Sequence, residues 1–341
     1  MDLSNTAVVI LNYNGRRWLE KFLPSVLQHS GNAHIIVADN HSTDDSIEFL
    51  QTNFSTIDLI TVPSNLGFCG GYNFALNQVK EKYYVLLNSD VEVTSGWIEP
   101  VIQLFESNFS IAAVQPKILS YSNKEFFEYA GAAGGYIDAL GYPFCRGRIF
   151  NDTEKDKGQY DDTRQVFWAS GACLFIRSEC YHQMNGLDED FFAHMEEIDL
   201  CWRLQKAGYQ IYYEGQSRVY HVGGGTLAVS NPRKTYFNFR NGLSLIFKNL
   251  PFLQLIWKFP LRIFLDWIAS FKFLSDGSAK DCKAVWSAHL DFIKSIGGEI
   301  SKRKSTAKKS KYGGTLPTVY LKLLIVDYFL FKKKSFSDLE F

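Results

Sequence analysis

The stretch YYVLLNSDVE at positions 83–92 is a continuous apolar run, Tyr83–Leu87, closed by Asn88, Ser89 and Asp90. An apolar run without polar alternation predicts a strand covered on both faces. The pattern recurs upstream, where Ala7–Leu11 (AVVIL) leads into Asn12-Tyr13-Asn14 and His34–Ala38 (HIIVA) into Asp39-Asn40. Helical spacing of apolar residues falls at Trp18–His29, Ser42–Leu50 and Gly71–Lys82, with a further strand at Leu59–Val62. Strands alternating with helices predict an α/β fold built on a mainly parallel sheet. Ligands in such sheets sit at the carboxyl ends of the strands. All three Asn/Asp clusters fall there.

Further on, Val166–Ile176 (VFWASGACLFI) reads as a strand whose Gly171 and Ala172 let a ligand approach the backbone. Tyr209–Tyr213 and Arg218–His221 read as two more strands, followed by Gly223-Gly224-Gly225. Helices are expected across Arg177–Arg203, around the segment FFAHMEEIDLCWR at 191–203. That segment sets Glu196, Glu197 and Asp199 among aromatic and aliphatic neighbours. Partial desolvation raises a carboxyl pKa and suits it to moving protons. The same acids also suit an ordinary helix start, where the dipole favours negative charge.

Asp90, at a strand end, is placed to hold Mg²⁺ or Mn²⁺ against phosphates, since hard cations take carboxylate and phosphate oxygens. Asn-Ser-Asp is equally a common turn. Asp39 is suited to a base or ribose, or to capping the next helix. His221 is either a second metal ligand or a structural histidine. The loop NLGFCGGYN at 65–73 lacks the spacing of GxGxxG or GxxxxGK[ST], which excludes the dehydrogenase and P-loop readings. Its Asn65, Gly67 and Asn73 remain donor-contact candidates, because glycines at a helix start favour an anion.

With 46% hydrophobic and 21% charged residues, the 341-residue chain is globular and long enough for one large domain or two. Its opening, MDLSNTAVVILN, predicts a first strand and no secretory signal. The six cysteines have no zinc-type spacing and read as reduced thiols of a cytosolic protein. Charge is uneven: 18 Lys/Arg face 28 Asp/Glu in residues 1–239, but 18 face 6 in residues 240–334. Leu243–Leu274 and Pro317–Phe331 are apolar, interrupted by Lys248, Lys258, Arg262, Asp266, Lys272, Lys322 and Asp327. Such a region predicts helices in an anionic membrane interface, or alternatively a helical subdomain with solvated lysines. Nucleic acid is not expected, because no reading module accompanies the charge.

In order, VVILNYNG, ADNHSTDDS, NLGFCGGYN, LLNSDVEV, W-x-SGACLFIR, GLDEDFFAHMEEIDLCWRL-x-x-AGY and VYHVGGGT resemble glycosyltransferase family 2. The likeness is to its bacterial rhamnosyltransferase-like branch, which builds O-antigen and other surface polysaccharides, and covers about residues 5–226. It implies a GT-A fold over residues 1–235, with a nucleotide-sugar half (1–110) and an acceptor half (111–235), then a membrane-associating region (236–341). By resemblance, Asn12 and Asn14 lie in the first nucleotide loop and Asp39 contacts base or ribose. Asn88 takes the first position of the DxD-type motif, and Asp90 with His221 holds the metal. Glu196-Glu197 matches a Glu-Asp pair whose second member is the general base, so Glu197 departs from the pattern by one methylene, and the base is Glu197 or Glu196. Asp199 is cast as an orienting residue paired with Arg203. The implied reaction is inverting transfer of a sugar from a nucleoside-diphosphate donor, with dTDP-rhamnose as the branch-level expectation. The acceptor is a lipid-linked saccharide or polysaccharide at the cytoplasmic face of the membrane. A catalytically silent nucleotide-sugar scaffold and a nucleotidyltransferase are the competing readings.

Overall fold

The computed structural model describes residues 1–223 and 231–341. The expected Gly224 and Gly225 lie outside the described residues. The strands β1 (Thr6–Asn12), β2 (His34–Asp39), β3 (Asp58–Thr61) and β4 (Tyr83–Asn88) alternate with α1 (Arg16–His29), α2 (Ser46–Asn53) and α3 (Gly67–Leu76). They pair in parallel in the order β4-β1-β2-β3. Along β1, Ala7 and Val9 enter one core layer while Val8 and Ile10 enter the other, as the two-residue period of a strand requires.

The chain continues through β5 (Val91–Val93), α4 (Glu99–Ser107) and β6 (Ile111–Ser120). A small antiparallel sheet follows: β7 (Gly135–Ile137), β8 (Pro143–Cys145), β9 (Arg148–Ile149) and β10 (Asp152–Thr153). Then come β11 (Thr163–Val166), β12 (Cys173–Arg177), α5 (Ser178–Gln183), a 3₁₀ turn at Glu189–Phe191, α6 (Glu196–Lys206) and β13 (Gln210–His221). The main sheet runs β11-β13-β6-β12-β4-β1-β2-β3, with β5 on β13. Because β12 is antiparallel to β4, its first residue, Cys173, lies beside Leu87 at the carboxyl end of β4. Five helices complete the chain: α7 (Pro232–Asn249), α8 (Phe252–Ser275), α9 (Ala279–Lys294), α10 (Ile296–Lys309) and α11 (Leu324–Phe329).

The helix expected from Ser42 starts at Ser46 as α2, and three further elements differ from expectation. The run at 166–176 is not one strand. Ser170 breaks it, its carbonyl accepting from Cys173 N–H at 3.2 Å and its hydroxyl from Ala172 N–H at 3.2 Å, a local side-chain turn that competes with the ladder. The strands expected at 209–213 and 218–221 are one strand, β13, irregular between Glu214 and Arg218. Third, α3 starts at Gly67, not Gly71, because its glycines let it pack closely: a Cβ on Gly71 would stand 2.8 Å from Leu11.

Candidate active site

The ends of β1 and β2 form one hydrogen-bonded floor with the loop that follows β2. Asn12 Nδ2 donates to Asp39 Oδ1 at 2.9 Å and to Ser42 Oγ at 3.2 Å, and Ser42 N–H donates to Asp39 Oδ2 at 2.9 Å. Asn12 and Asp39 are fully buried. Asp39 does not cap α2, which begins beyond Asp45. Buried Asn12 Oδ1 has no partner among the described residues, and it lies under Gly15, where a Cβ would come within 2.3 Å. Asn14, at φ 50°, accepts from Thr43 N–H at 2.7 Å and so ties the first loop to the second.

The loop at 65–73 divides its work. Asn65 Oδ1 accepts from Gly67 N–H at 2.9 Å, and Asn40, which sequence reasoning left without a role, donates to Gly67 O at 2.9 Å. Gly67 is left-handed at φ +71°, and a Cβ there would strike the Phe192 ring at 2.6 Å. Asn73 is turned away from this floor. It donates to Leu187 O and accepts from Tyr181 OH and Leu187 N–H, so it clamps the approach to α6.

At the end of β4, Asn88 N–H donates to Ala172 O at 3.0 Å. Two residues on, Asp90 Oδ1 lies 3.2 Å from His221 Nε2, and both residues are nearly buried. The pairing of β5 with β13 holds them together, with Val91 opposite His221. Glu128, a residue without any sequence signal, stands 3.4 Å from His221 Nδ1 at an ion-pair distance with poor hydrogen-bond alignment. Burial opposes the imidazolium, but the two carboxylates prevail and raise the His221 pKa to about 10. Without a cation, Asp90 and His221 are an ion pair; once His221 gives up that proton, a carboxylate and an imidazole whose far nitrogen meets a second carboxylate are a donor set suited to a divalent cation. Among the described residues no three His, Cys, Asp or Glu side chains converge on one point, so Asp90 and His221 form a pair.

The helix carrying the acids begins from a strained turn: Phe192, His194 and Met195 have φ of 62°, 70° and 72°. Such conformations cost about 1–3 kcal/mol each and persist where the surroundings impose them. Buried Asn241, on α7, does so. Its Nδ2 lies 3.0, 2.9 and 2.8 Å from the carbonyls of Phe191, Ala193 and His194. Replacing Asn241 by Asp would turn a carboxylate on these carbonyls, and is expected to lower stability by about 1–3 kcal/mol, read as a lower urea midpoint.

The three acids part company here. Asp199 is fully buried, bonded to Arg203 at 2.7 Å, Lys248 at 2.9 Å and Asn249 Nδ2 at 2.9 Å. Burial alone would raise its pKa, yet Lys248 and Arg203 hold it well below the usual carboxylate range. The expected pairing with Arg203 is present, and Lys248 is a second partner. Glu196 is buried, and burial with the neighbouring Glu197 charge pushes its pKa far up. Glu197 is half-buried, and burial raises it to about 7, with its own N–H and those of Ile198 and Gly171 pulling the other way. Each glutamate has an Oε2 without a hydrogen-bond partner among the described residues. Gly171, next to the Ala172 that caps β4, has its Cβ position 3.9 Å from Glu196 Oε1. Glu196 and Glu197 thus lie beside the segment that meets the end of β4, two residues before Asp90.

The C-terminal charges are not all on an outer polar face. Lys248 is buried against Asp188 at 2.6 Å as well as Asp199, and Lys302 pairs with Asp188 and Asp190. Lys258, Arg262 and Asp266 also point inward. Spacing identified them as interruptions of an apolar helix, and it carries no signal for which side they face.

A mainly parallel α/β sheet with an acid–imidazole pair beyond its strand ends and the α6 glutamates beside them has GT-A architecture. The family model described as Glycosyl transferase family 2 matches residues 7–179. The chain belongs to that family. N-acetylglucosaminyl-diphospho-decaprenol L-rhamnosyltransferase of Mycobacterium tuberculosis is 26% identical over 229 residues, covering 63% of this chain and 75% of that protein. Rhamnosyltransferase WbbL of Escherichia coli K12 is 27% identical over 219 residues, covering 60% and 79%. Among solved structures, GalNAc-T7 with UDP, GalNAc and Mn²⁺ superposes with a TM-score of 0.57 at 14% identity, over 87% of this chain and 57% of that one. The mannosyltransferase PcManGT of Pyrobaculum calidifontis with GDP-Man and Mn²⁺ gives 0.50 at 11%, over 92% and 77%. At these identities the two structures speak for the fold.

Proposed function

We propose that this protein transfers a sugar, with inversion, from a nucleoside-diphosphate donor to a hydroxyl of a lipid-linked saccharide, and that rhamnose from dTDP-rhamnose is the sugar moved. The observation that carries the reading is the division of the α6 acids. Asp199 is locked as an anion by Lys248 and Arg203, Glu196 is held neutral, and Glu197 is held near pH 7 with a free oxygen. A base poised near the working pH is the efficient choice for removing a hydroxyl proton. Glu197 Oε2 takes the acceptor proton as the hydroxyl oxygen bonds to the anomeric carbon. The bond from that carbon to the diphosphate oxygen breaks on the opposite face. A divalent cation, Mg²⁺ or Mn²⁺, on Asp90 and His221 supplies positive charge to the departing diphosphate when bound. Asn12, Asn14, Asp39, Asn65 and Gly67 shape the donor floor, and Glu128 orients His221. Residues 1–110 serve the donor and 111–235 the acceptor, while 236–341 associate with an anionic membrane at its cytoplasmic face. The rhamnosyltransferase and decaprenol-linked names of the relatives support this choice of sugar and acceptor.

Thermal unfolding with dTDP-rhamnose, with and without Mn²⁺, tests the donor half. Mn²⁺ is expected to be required for a donor-induced rise in midpoint, and Asp90→Asn to abolish that rise. A rise in Asp90→Asn equal to that of the unsubstituted protein would remove Asp90 from the metal site.

A further inference from the structure

Helix α8 is built inside out. Lys258, Arg262, Asp266 and Ser270, four residues apart, form one stripe, and that stripe is buried. Leu253, Trp257, Phe264, Trp267, Ile268 and Phe271 are exposed instead, Leu253 by 77% and Phe271 by 60%. A water-facing helix has the reverse arrangement. Most of the inward polar groups find partners, Arg262 Nη1 being an exception among the described residues. Arg262 Nε donates to Asp266 at 2.9 Å, and its guanidinium lies 3.7 Å over the Tyr142 ring. Asp266 also meets His289 of α9 at 3.3 Å, and Ser270 lies 3.2 Å from Cys282 Sγ. The fit of the stripe onto α7 depends on Gly242, where a Cβ would come within 2.8 Å of Arg262. The outward face continues on α9 through Trp286, Leu290 and Ile293.

We propose that this face of α8 and α9 lies among the acyl chains of a phospholipid leaflet, with the helices along the membrane plane. The inference rests on the membrane seat named above and specifies what holds it. No described helix is long and apolar enough to cross a membrane, so lying flat is the geometry available to it. Charge selects lipid over a second copy of this chain. Exposed Lys283 rises beside Trp286 and Leu290 on α9, exposed Lys280 stands one turn earlier, and neither is in an ion pair among the described residues. Lys272 and Lys294, further along, are exposed but paired with Asp276 at 2.8 Å and Asp291 at 2.9 Å, so the unpaired charge beside this face is that of Lys280 and Lys283. A self-complementary contact would bring these lysines face to face, whereas anionic headgroups match them.

Flotation of the full chain with vesicles of phosphatidylcholine, alone or mixed with phosphatidylglycerol, tests the proposal. Binding is expected to both, and to persist at about 0.5 M salt, where screening reduces charge attraction to a range of a few ångströms. The triple variant F264S/W267S/F271S should bind on the order of tenfold or more weakly, because the insertion energy lies in these side chains. Release by salt, with the triple variant binding like the unsubstituted protein, would assign the membrane contact to the lysines. That outcome would overturn this inference and leave the membrane seat standing. Failure to float with either vesicle, with a dimer that the triple variant converts to monomer, would overturn both. If the triple variant does not fold, quenching of the unsubstituted protein's tryptophans by brominated lipid decides: quenching is expected, and its absence would overturn the inference.

Discussion

Replacing Glu197 by Gln is expected to lower turnover by ~10²–10⁴-fold, the usual contribution of a general base, and to leave donor binding intact. The unsubstituted enzyme should show kcat/KM rising up to about pH 7, where Glu197 loses its proton, and then levelling. The variant should lose that limb. Stability moves the other way. The ordinary value is 4.5 and the folded value about 7, so between them the folded protein keeps a proton that the unfolded chain has released. Stability therefore falls as pH rises through this window. Gln has no charge to bury, so Glu197→Gln should melt higher than the unsubstituted protein above pH 7. Retained turnover in Glu197→Gln, with loss in Glu196→Gln, would move the base to Glu196.

Replacing Lys248 by Met should lower stability by about 3–5 kcal/mol, the usual cost of breaking a buried ion pair by removing one partner. Lys248 is 3% exposed and serves Asp188 and Asp199 together. Removing it leaves Asp199 buried with Arg203 and Asn249 alone. The folded pKa of Asp199 is depressed below 3.8, so its contribution is present above that value and lost as pH falls toward the folded one. In Lys248→Met that contribution shrinks, and acid unfolding should begin at a higher pH. Adding Asp199→Asn should recover part of the loss, because the two sites share one interaction. A urea midpoint unchanged in Lys248→Met would contradict the role assigned to this pair.

The strands and their polar ends were legible because a doubly covered strand writes itself as an unbroken apolar run, and Asn12, Asp39 and Asp90 close three such runs. The acids of α6 were legible as a group, and the expected pairing set Asp199 with Arg203 apart from the two glutamates. What no local pattern reports is Lys248, about fifty positions away, the second cation that holds Asp199. Glu128 was silent for the same reason: it reaches His221 through an irregular segment without helical or strand periodicity. Ser170 illustrates a local competitor, since one hydroxyl turned an apparent eleven-residue strand into a strand, a turn and a strand. In α8, periodicity gave the helix and its two faces, but the sign of burial depends on what lies outside the molecule. Helix spacing alone says which residues share a side, not which side is wet.

The most direct test is to incubate the protein with dTDP-rhamnose, Mn²⁺ and N-acetylglucosamine joined through diphosphate to a polyprenol, and to determine the anomeric configuration of the new linkage by NMR. A single displacement assisted by Glu197 predicts a product inverted relative to the donor, with dTDP released. Retention of configuration, or release of pyrophosphate in place of dTDP, would contradict it.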